Sequence, residues 1–308
     1  MTNLANDILN DANQPLVSIL MNCYNGEQYL RDAVQSVLDQ TYQNWELICW
    51  DNQSTDKSKE IFKSYSDLRI KYFYAPTHTL LYEARNCAIE RSVGEFIAFL
   101  DVDDWWEKDK LAKQIPMFDD PKVGLVCGNF WIFNQLKGKR SLKFKRNPRM
   151  RLGLDAVLKS YFVGLLTLVI RRTALESLSI RCNTRYHVIG DFDLVTRLLV
   201  NWKMDCNLDP VASYRWHGAN ESFRERARHI DELDYWINEV QKNEGINSSI
   251  GLIYVKDTLN YMKGIELMLG GKRWQALANV RDVFSSVTKI KLLCMFLMPI
   301  SLLRFMRT

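Results

Sequence analysis

The chain has 308 residues, of which 47% are hydrophobic and 25% charged, with a formal net charge of +5. That length suits one large domain with an appendage or two small domains, and the composition is that of a folded globular chain. The charge is too modest to mark a nucleic-acid binder, and no stretch reaches the roughly 18 to 20 apolar residues that a spanning helix needs.

Residues 1–14 have neither a basic start nor a long apolar core, so they are expected to form a flexible N-terminus and not a secretory signal. Residues 16–21 read as a buried strand running into the loop Asn22-Cys23-Tyr24-Asn25-Gly26. Leu30, Ala33, Val34, Val37 and Leu38 then fall on one face of a helix. Residues 46–50 read as a second strand ending in the polar turn 51–56, which can cap a helix marked by Ile61, Phe62 and Tyr65. A third strand is expected at 69–74, a helix at about 80–91, and a fourth strand at 95–100 that runs into Asp101-Val102-Asp103-Asp104. This alternation predicts a Rossmann-like α/β fold, with a mainly parallel sheet and helices on both faces. Ligands of such sheets bind beyond the carboxyl ends of the strands, where the clusters 22–25, 51–56 and 101–104 fall together. After Leu111 the alternation loosens. Strands are expected at 123–133 and 167–170, a basic loop or hairpin at 137–151, and a helix at 191–200. A short strand precedes Tyr214-Arg215-Trp216-His217. Beyond about residue 223 the pattern is helical. The expected division is 1–14, a domain at 15–222, and a helical region at 223–308.

Three carboxylates within residues 101–104 repel one another, and a hard divalent cation sharing phosphate oxygens would compensate them. A solvated acidic turn is the plain alternative. Asp51 follows its strand in the same way and can accept hydrogen bonds from a base or ribose, or simply cap a turn. Arg85 can make bidentate contacts to a phosphate or base edge, or lie on the surface. Asp191 opens a helix and can act as a general base with Asp193 as structural partner, or serve the helix dipole. His217 can be a metal ligand, a phosphate contact or an ordinary polar residue. Seven cysteines, with no C-x-x-C pair, read as free thiols of a reducing compartment.

Taken in order, residues 17–25, 51–56, Ala84-Arg85-Asn86, 94–104, 167–172, 191–194 and 213–217 resemble glycosyltransferase family 2, the inverting GT-A enzymes, over about residues 15–222. The resemblance implies transfer of a sugar from a nucleoside diphosphate donor, most often a UDP-sugar, to an acceptor hydroxyl. By position it implies donor contacts at Tyr24, Asn25, Asp51, Arg85, Asp101 and Asp103, with Tyr24 against the base. It implies Mg²⁺ or Mn²⁺ near Asp103, Asp104 and His217, with Asp104 the nearest match to a direct ligand. Asp191 matches the catalytic base. Gly190 departs from the pattern, which has Glu before the base, and Trp50 replaces an aliphatic residue. The competing classes are a sugar-nucleotidyltransferase, which needs a Gly-rich basic loop after the first strand, and a non-catalytic nucleotide-sugar-binding or membrane scaffold.

Two further segments bear on partners. Residues 137–151 hold eight Lys and Arg and no acid, and residues 289–307 are apolar with basic flanks and interrupted by Pro299. Both suit peripheral contact with an anionic membrane. A solvated hairpin, and a tail packed on the protein or in a homodimer, are the alternatives. The expected partners are a nucleotide-sugar donor and a glycan or lipid-linked acceptor. No nucleic acid is expected, because the basic loop has little aromatic interleaving. The expected location is the cytoplasm, with attachment to the inner face of the cytoplasmic membrane.

Overall fold

A computed structural model of the protein describes residues 14–145, 152–218, 220 and 225–305. The expectations for residues 1–13, and those for 146–151, fall outside this range. The chain forms two compact units, one of Met1–Leu152 with Phe162–Phe223, the other of Gly153–Tyr161 with Arg224–Thr308. The second unit therefore includes a stretch near residue 155 that the single cut at 222–223 leaves in the first.

In chain order the elements are β1 (Val17–Cys23), α1 (Leu30–Leu38), β2 (Trp45–Asp51), α2 (Ser58–Lys63), β3 (Ile70–Tyr74), α3 (Leu81–Glu90), β4 (Phe96–Phe99), β5 (Trp105–Trp106), α4 (Lys110–Gln114), β6 (Val123–Asn134) and β7 (Lys139–Leu142). They continue with α5 (Leu154–Lys159), β8 (Val169–Arg171), α6 (Arg172–Glu176), α7 (Gly190–Leu198) and β9 (Lys203–Trp216). The sheet order is β3-β2-β1-β4-β8-β6-β9-β5, with β7 on β6. Strands β3, β2, β1 and β4 are parallel neighbours. The chain winds outward through β2 and β3, then crosses back to place β4 on the other side of β1. That reversal opens a crevice at the carboxyl ends of β1, β2 and β4.

β2 and β4 are buried throughout and β1 at all but Asn22, so their sequences are nearly unbroken apolar runs. Helix α1 buries Leu30, Ala33, Val34 and Val37 at helical spacing against this sheet.

Two readings of the second half need correction. Residues 165–167 form a 3-10 turn, and the strand expected at 167–170 starts only at Val169. The strand before Tyr214 is long: β9 has 14 residues and pairs in parallel with β6. Pro210 lies in it where the register slips between Gly128 and Phe130, because proline cannot donate to the ladder. The two tryptophans after the acid run form β5, antiparallel to β9.

The second unit is helical. It contains α5, α8 (Arg226–Val240), α9 (Glu244–Asn247), α10 (Leu252–Leu269), α11 (Arg273–Arg281), α12 (Ser286–Leu297) and α13 (Ile300–Phe305). Asp155 in α5 accepts hydrogen bonds from Ser249 Oγ and from the Gly251 N–H, the latter at 3.0 Å, which ties 153–161 to this unit. Buried Asp257 accepts from the N–H groups of Phe284 and Ser285, each at 2.6 Å, and the Ser285 hydroxyl caps α12. Among the described residues no helix is long and apolar enough to cross a membrane.

Candidate functional site

The loops after β1 and β2 are knitted together. Asn25 (φ 53°) and Gln53 (φ 69°) take the left-handed conformation. The side-chain oxygen of Asn25 accepts from the Thr55 N–H at 2.8 Å, and the Asn25 N–H donates to Ser54 Oγ at 2.9 Å. Asn25 is thus part of the loop framework. Asp51 is wholly buried. It accepts from the Ser54 N–H at 2.7 Å and from the Tyr72 hydroxyl at 2.6 Å.

A third loop is held by Asn52, whose side chain accepts from the Thr79 N–H and donates to the Thr79 carbonyl. Beside it, His78 Nδ1 lies 2.8 Å from the Asn52 carbonyl oxygen. A carbonyl can only accept, so Nδ1 carries the proton. The His78 ring stands 4.6 Å from that of Tyr24, which is 55% exposed at the mouth of the crevice. No local sequence pattern singles out His78.

Arg85 is buried and donates to Asp101 at 3.0 Å, with its guanidinium 4.8 Å from the Tyr82 ring centre. Burial alone would lower the Arg85 pKa. The charge of Asp101 outweighs this and holds it above the ordinary value.

The acid run separates into different roles. Asp103 is half-buried, with Oδ2 3.1 Å from His217 Nε2. Burial, then the neighbouring charge of Asp101, push its pKa up against a smaller pull from His217. Asp104 is 2% exposed and accepts from the Arg215 N–H at 2.8 Å. Its pKa is driven well above the ordinary value, first by burial and then by Asp103. The structure therefore joins Asp103 to His217 and turns Asp104 inward to fasten the acid turn to β9. Among the described residues no three His, Cys, Asp or Glu side chains are grouped to hold a metal ion.

Arg215 completes the clasp. It donates to the Asp103 carbonyl at 2.9 Å and to Asp32 on α1 at 2.8 Å, and it is flanked by the rings of Tyr29 and Trp105. Tyr29 also stacks on His217 at 5.3 Å. The sequence marks Arg215 only as a neighbour of His217.

Asp191 lies in the first turn of α7. Its N–H donates to the Tyr82 hydroxyl at 2.8 Å, and its own Oδ1 accepts from the Phe192 N–H. A Cβ at Gly190 would stand 2.4 Å from the Tyr82 ring, so the absence of a side chain there follows from the tyrosine. Asp193 pairs with Arg197 at 2.8 Å. In the basic segment, Arg140 on β7 is occupied by Glu107 and Ser213 and lies near the rings of Trp105 and Trp131.

A Rossmann-like sheet whose fourth strand ends in this acid turn, with helices following, defines the chain as a member of the GT-A fold class. It belongs to the family described as Glycosyl transferase family 2, whose profile matches residues 18–178. Over 161 residues it is 38% identical to the putative teichuronic acid biosynthesis glycosyltransferase TuaG of Bacillus subtilis (strain 168), a match covering 52% of this chain and 63% of that protein. Over 164 residues it is 37% identical to the Escherichia coli UDP-Glc:alpha-D-GlcNAc-diphosphoundecaprenol beta-1,3-glucosyltransferase WfgD, covering 53% and 63%. The match thus spans less than two thirds of either relative. The fold is similar to that of the mannosyltransferase PcManGT from Pyrobaculum calidifontis, solved with GDP-Man and Mn²⁺. That likeness has a TM-score of 0.64 at 17% identity and covers 92% of this chain and 80% of that one.

Proposed function

We propose that this protein is an inverting glycosyltransferase that moves a sugar from a UDP-sugar to a hydroxyl of a glycan or lipid-linked acceptor in polysaccharide biosynthesis. The observation that carries the reading is two linked groups of residues at the crevice. Asp103 meets His217, Asp101 holds Arg85, and Arg85 packs on the tyrosine that binds Asp191. The name of the E. coli relative supports the donor and acceptor classes.

Transfer breaks the bond between the anomeric carbon and a phosphate oxygen, and negative charge builds on the departing diphosphate. Arg85, fixed by Asp101, supplies positive charge to that side of the site. Asp191 takes the proton from the attacking hydroxyl. Attack opposite the leaving group inverts the anomeric centre. Tyr24, Asp51 and His78 form the base end.

Mg²⁺ or Mn²⁺ fits the donor set, which offers a half-buried carboxylate of raised pKa and a neighbouring imidazole. Such cations complete their coordination with substrate phosphates and water. Asp103 with His217 would hold the ion, and it would supply Lewis-acid stabilisation of the diphosphate. In this reading the protein works in the cytoplasm, at the inner face of the membrane where a lipid-linked acceptor is met.

The test is a screen of UDP-, GDP- and dTDP-sugars against the full chain, with and without Mn²⁺, read by thermal shift and donor hydrolysis. A metal-dependent shift and slow hydrolysis with a UDP-sugar are expected. No response to any nucleotide sugar would overturn the proposal, and pyrophosphate release from a nucleoside triphosphate would replace it with nucleotidyl transfer.

A further inference from the structure

The second unit has a surface that the donor site does not explain. Helix α12 is fixed by one face. Leu292 is fully buried and packs against Gly264 of α10, and Met295 and Phe296 pack on the same small core. Asp257 and the Ser285 cap hold its start. The opposite face is apolar and open to solvent. Ile290 is 60% exposed, Leu297 80%, and Val287 and Leu293 are exposed as well. A monomeric soluble helix normally turns polar residues to that side.

The arrangement of charge identifies what such a face meets. At about 100° per residue, Val287, Ile290, Leu293 and Leu297 fall within about 60° of the Ile290 direction. Lys289 and Lys291 then lie about 100° to either side, one on each flank of the stripe. Long lysine stems in that position reach past an apolar face to place their ammonium groups at a polar boundary. The surroundings repeat the pattern. Trp274 on α11 is 78% exposed and touches Phe296 edge-on, and Phe284 is exposed just before α12. From Leu267 to Thr308 the sequence has seven Lys and Arg and one acid, Asp282. A second protein copy would bring the same positive charge to this face. An anionic lipid surface brings the opposite charge together with an apolar interior.

We infer that α12 is an interfacial helix that lies flat on an anionic phospholipid surface. Val287, Ile290, Leu293 and Leu297 enter the acyl boundary, Trp274 sits at the headgroup level, and Lys289 and Lys291 contact lipid phosphates. In the basic segment 137–145, Arg140 is already held by Glu107 and Ser213.

The test is co-sedimentation of the full chain with vesicles of phosphatidylglycerol in phosphatidylcholine, and with pure phosphatidylcholine. Strong binding to the anionic vesicles, weakened by salt, is expected. The double variant Ile290→Asp, Leu297→Asp loses it. Lys289→Gln with Lys291→Gln weakens it about 25-fold, at about fivefold per lysine. All four positions lie on the solvent side, and unchanged thermal melting of both variants verifies their folding. Equal pelleting by wild type and variants, or none by wild type, overturns the inference. So does a wild-type dimer on a sizing column that the apolar variant converts to monomer without any vesicle binding. Donor hydrolysis in solution is read in parallel, so failure here is distinct from failure of the proposed activity.

Discussion

The hydroxyl of Tyr82 accepts the main-chain N–H of Asp191 at 2.8 Å, and the same ring fills the space that a side chain at residue 190 would occupy. Tyr82, on α3, thus anchors the first turn of α7. Tyr82→Phe keeps the ring and removes only the hydrogen bond. It is expected to lower kcat about five- to tenfold, the effect of one such bond, with little change in donor KM. Gly190→Ala forces the ring aside and is expected to cost about 1–3 kcal/mol in stability. A proportional rise in donor KM in Tyr82→Phe, with kcat intact, would show that the tyrosine serves donor binding instead.

Asp191→Asn keeps size and hydrogen bonding but cannot take a proton. Transfer is expected to fall by about 10²–10⁴ while donor binding survives. Wild-type transfer by this variant would remove Asp191 from the mechanism.

Asp103 and Asp104 are adjacent but should respond differently. Asp103→Asn is expected to lose the Mn²⁺-induced rise in melting temperature, whereas Asp104→Asn, which still offers an acceptor to the Arg215 N–H, is expected to keep it. Loss of the Mn²⁺ response in Asp104→Asn alone would reverse the assignment.

The pH dependence of Asp103 has a definite sign. Its folded pKa lies above its unfolded value, so the folded state binds the proton more tightly. Without metal this contribution favours the fold at low pH and is lost as pH rises through the raised pKa. The Mn²⁺ response needs the ionised carboxylate and runs the other way, fading as pH falls through that same value. Melting curves against pH, with and without Mn²⁺, should therefore diverge as pH rises. Parallel curves would contradict the role of Asp103.

Asp257→Ala leaves two N–H groups before α12 without their acceptor. A loss of about 2–4 kcal/mol is expected from thermal or urea unfolding, together with weaker vesicle binding. A variant as stable as wild type would show that α12 is held by its packing alone.

How much of this was legible differs along the chain for physical reasons. β1, β2 and β4 lie in the middle of the sheet and are largely sealed from solvent, so their sequences are apolar runs and the polar clusters after them stand out. β9 is a long strand, yet Asp205, Asn207, Asp209 and Pro210 interrupt its pattern, and its pairing with distant β6 and β5 makes it a strand. Three neighbouring acids look equivalent in sequence. Which one faces inward is decided by the N–H of Arg215, 111 residues further on. The glycine at 190 looks like a missing side chain until Tyr82 is seen to occupy its place. His78 owes its position to the Asn52 clamp on its loop, which no spacing encodes.

The clasp between the acid turn and β9 also bears on how the protein is made. The turn at Asp103 and Asp104 is completed by partners 114 and 111 residues later. During synthesis the first four parallel strands emerge and can pair well before Arg215 and His217 leave the ribosome. A nascent or truncated chain ending before them would carry three crowded carboxylates with neither the backbone donor nor the imidazole that belongs beside them. Assembly of this part of the crevice is therefore a late event, tied to the arrival of β9.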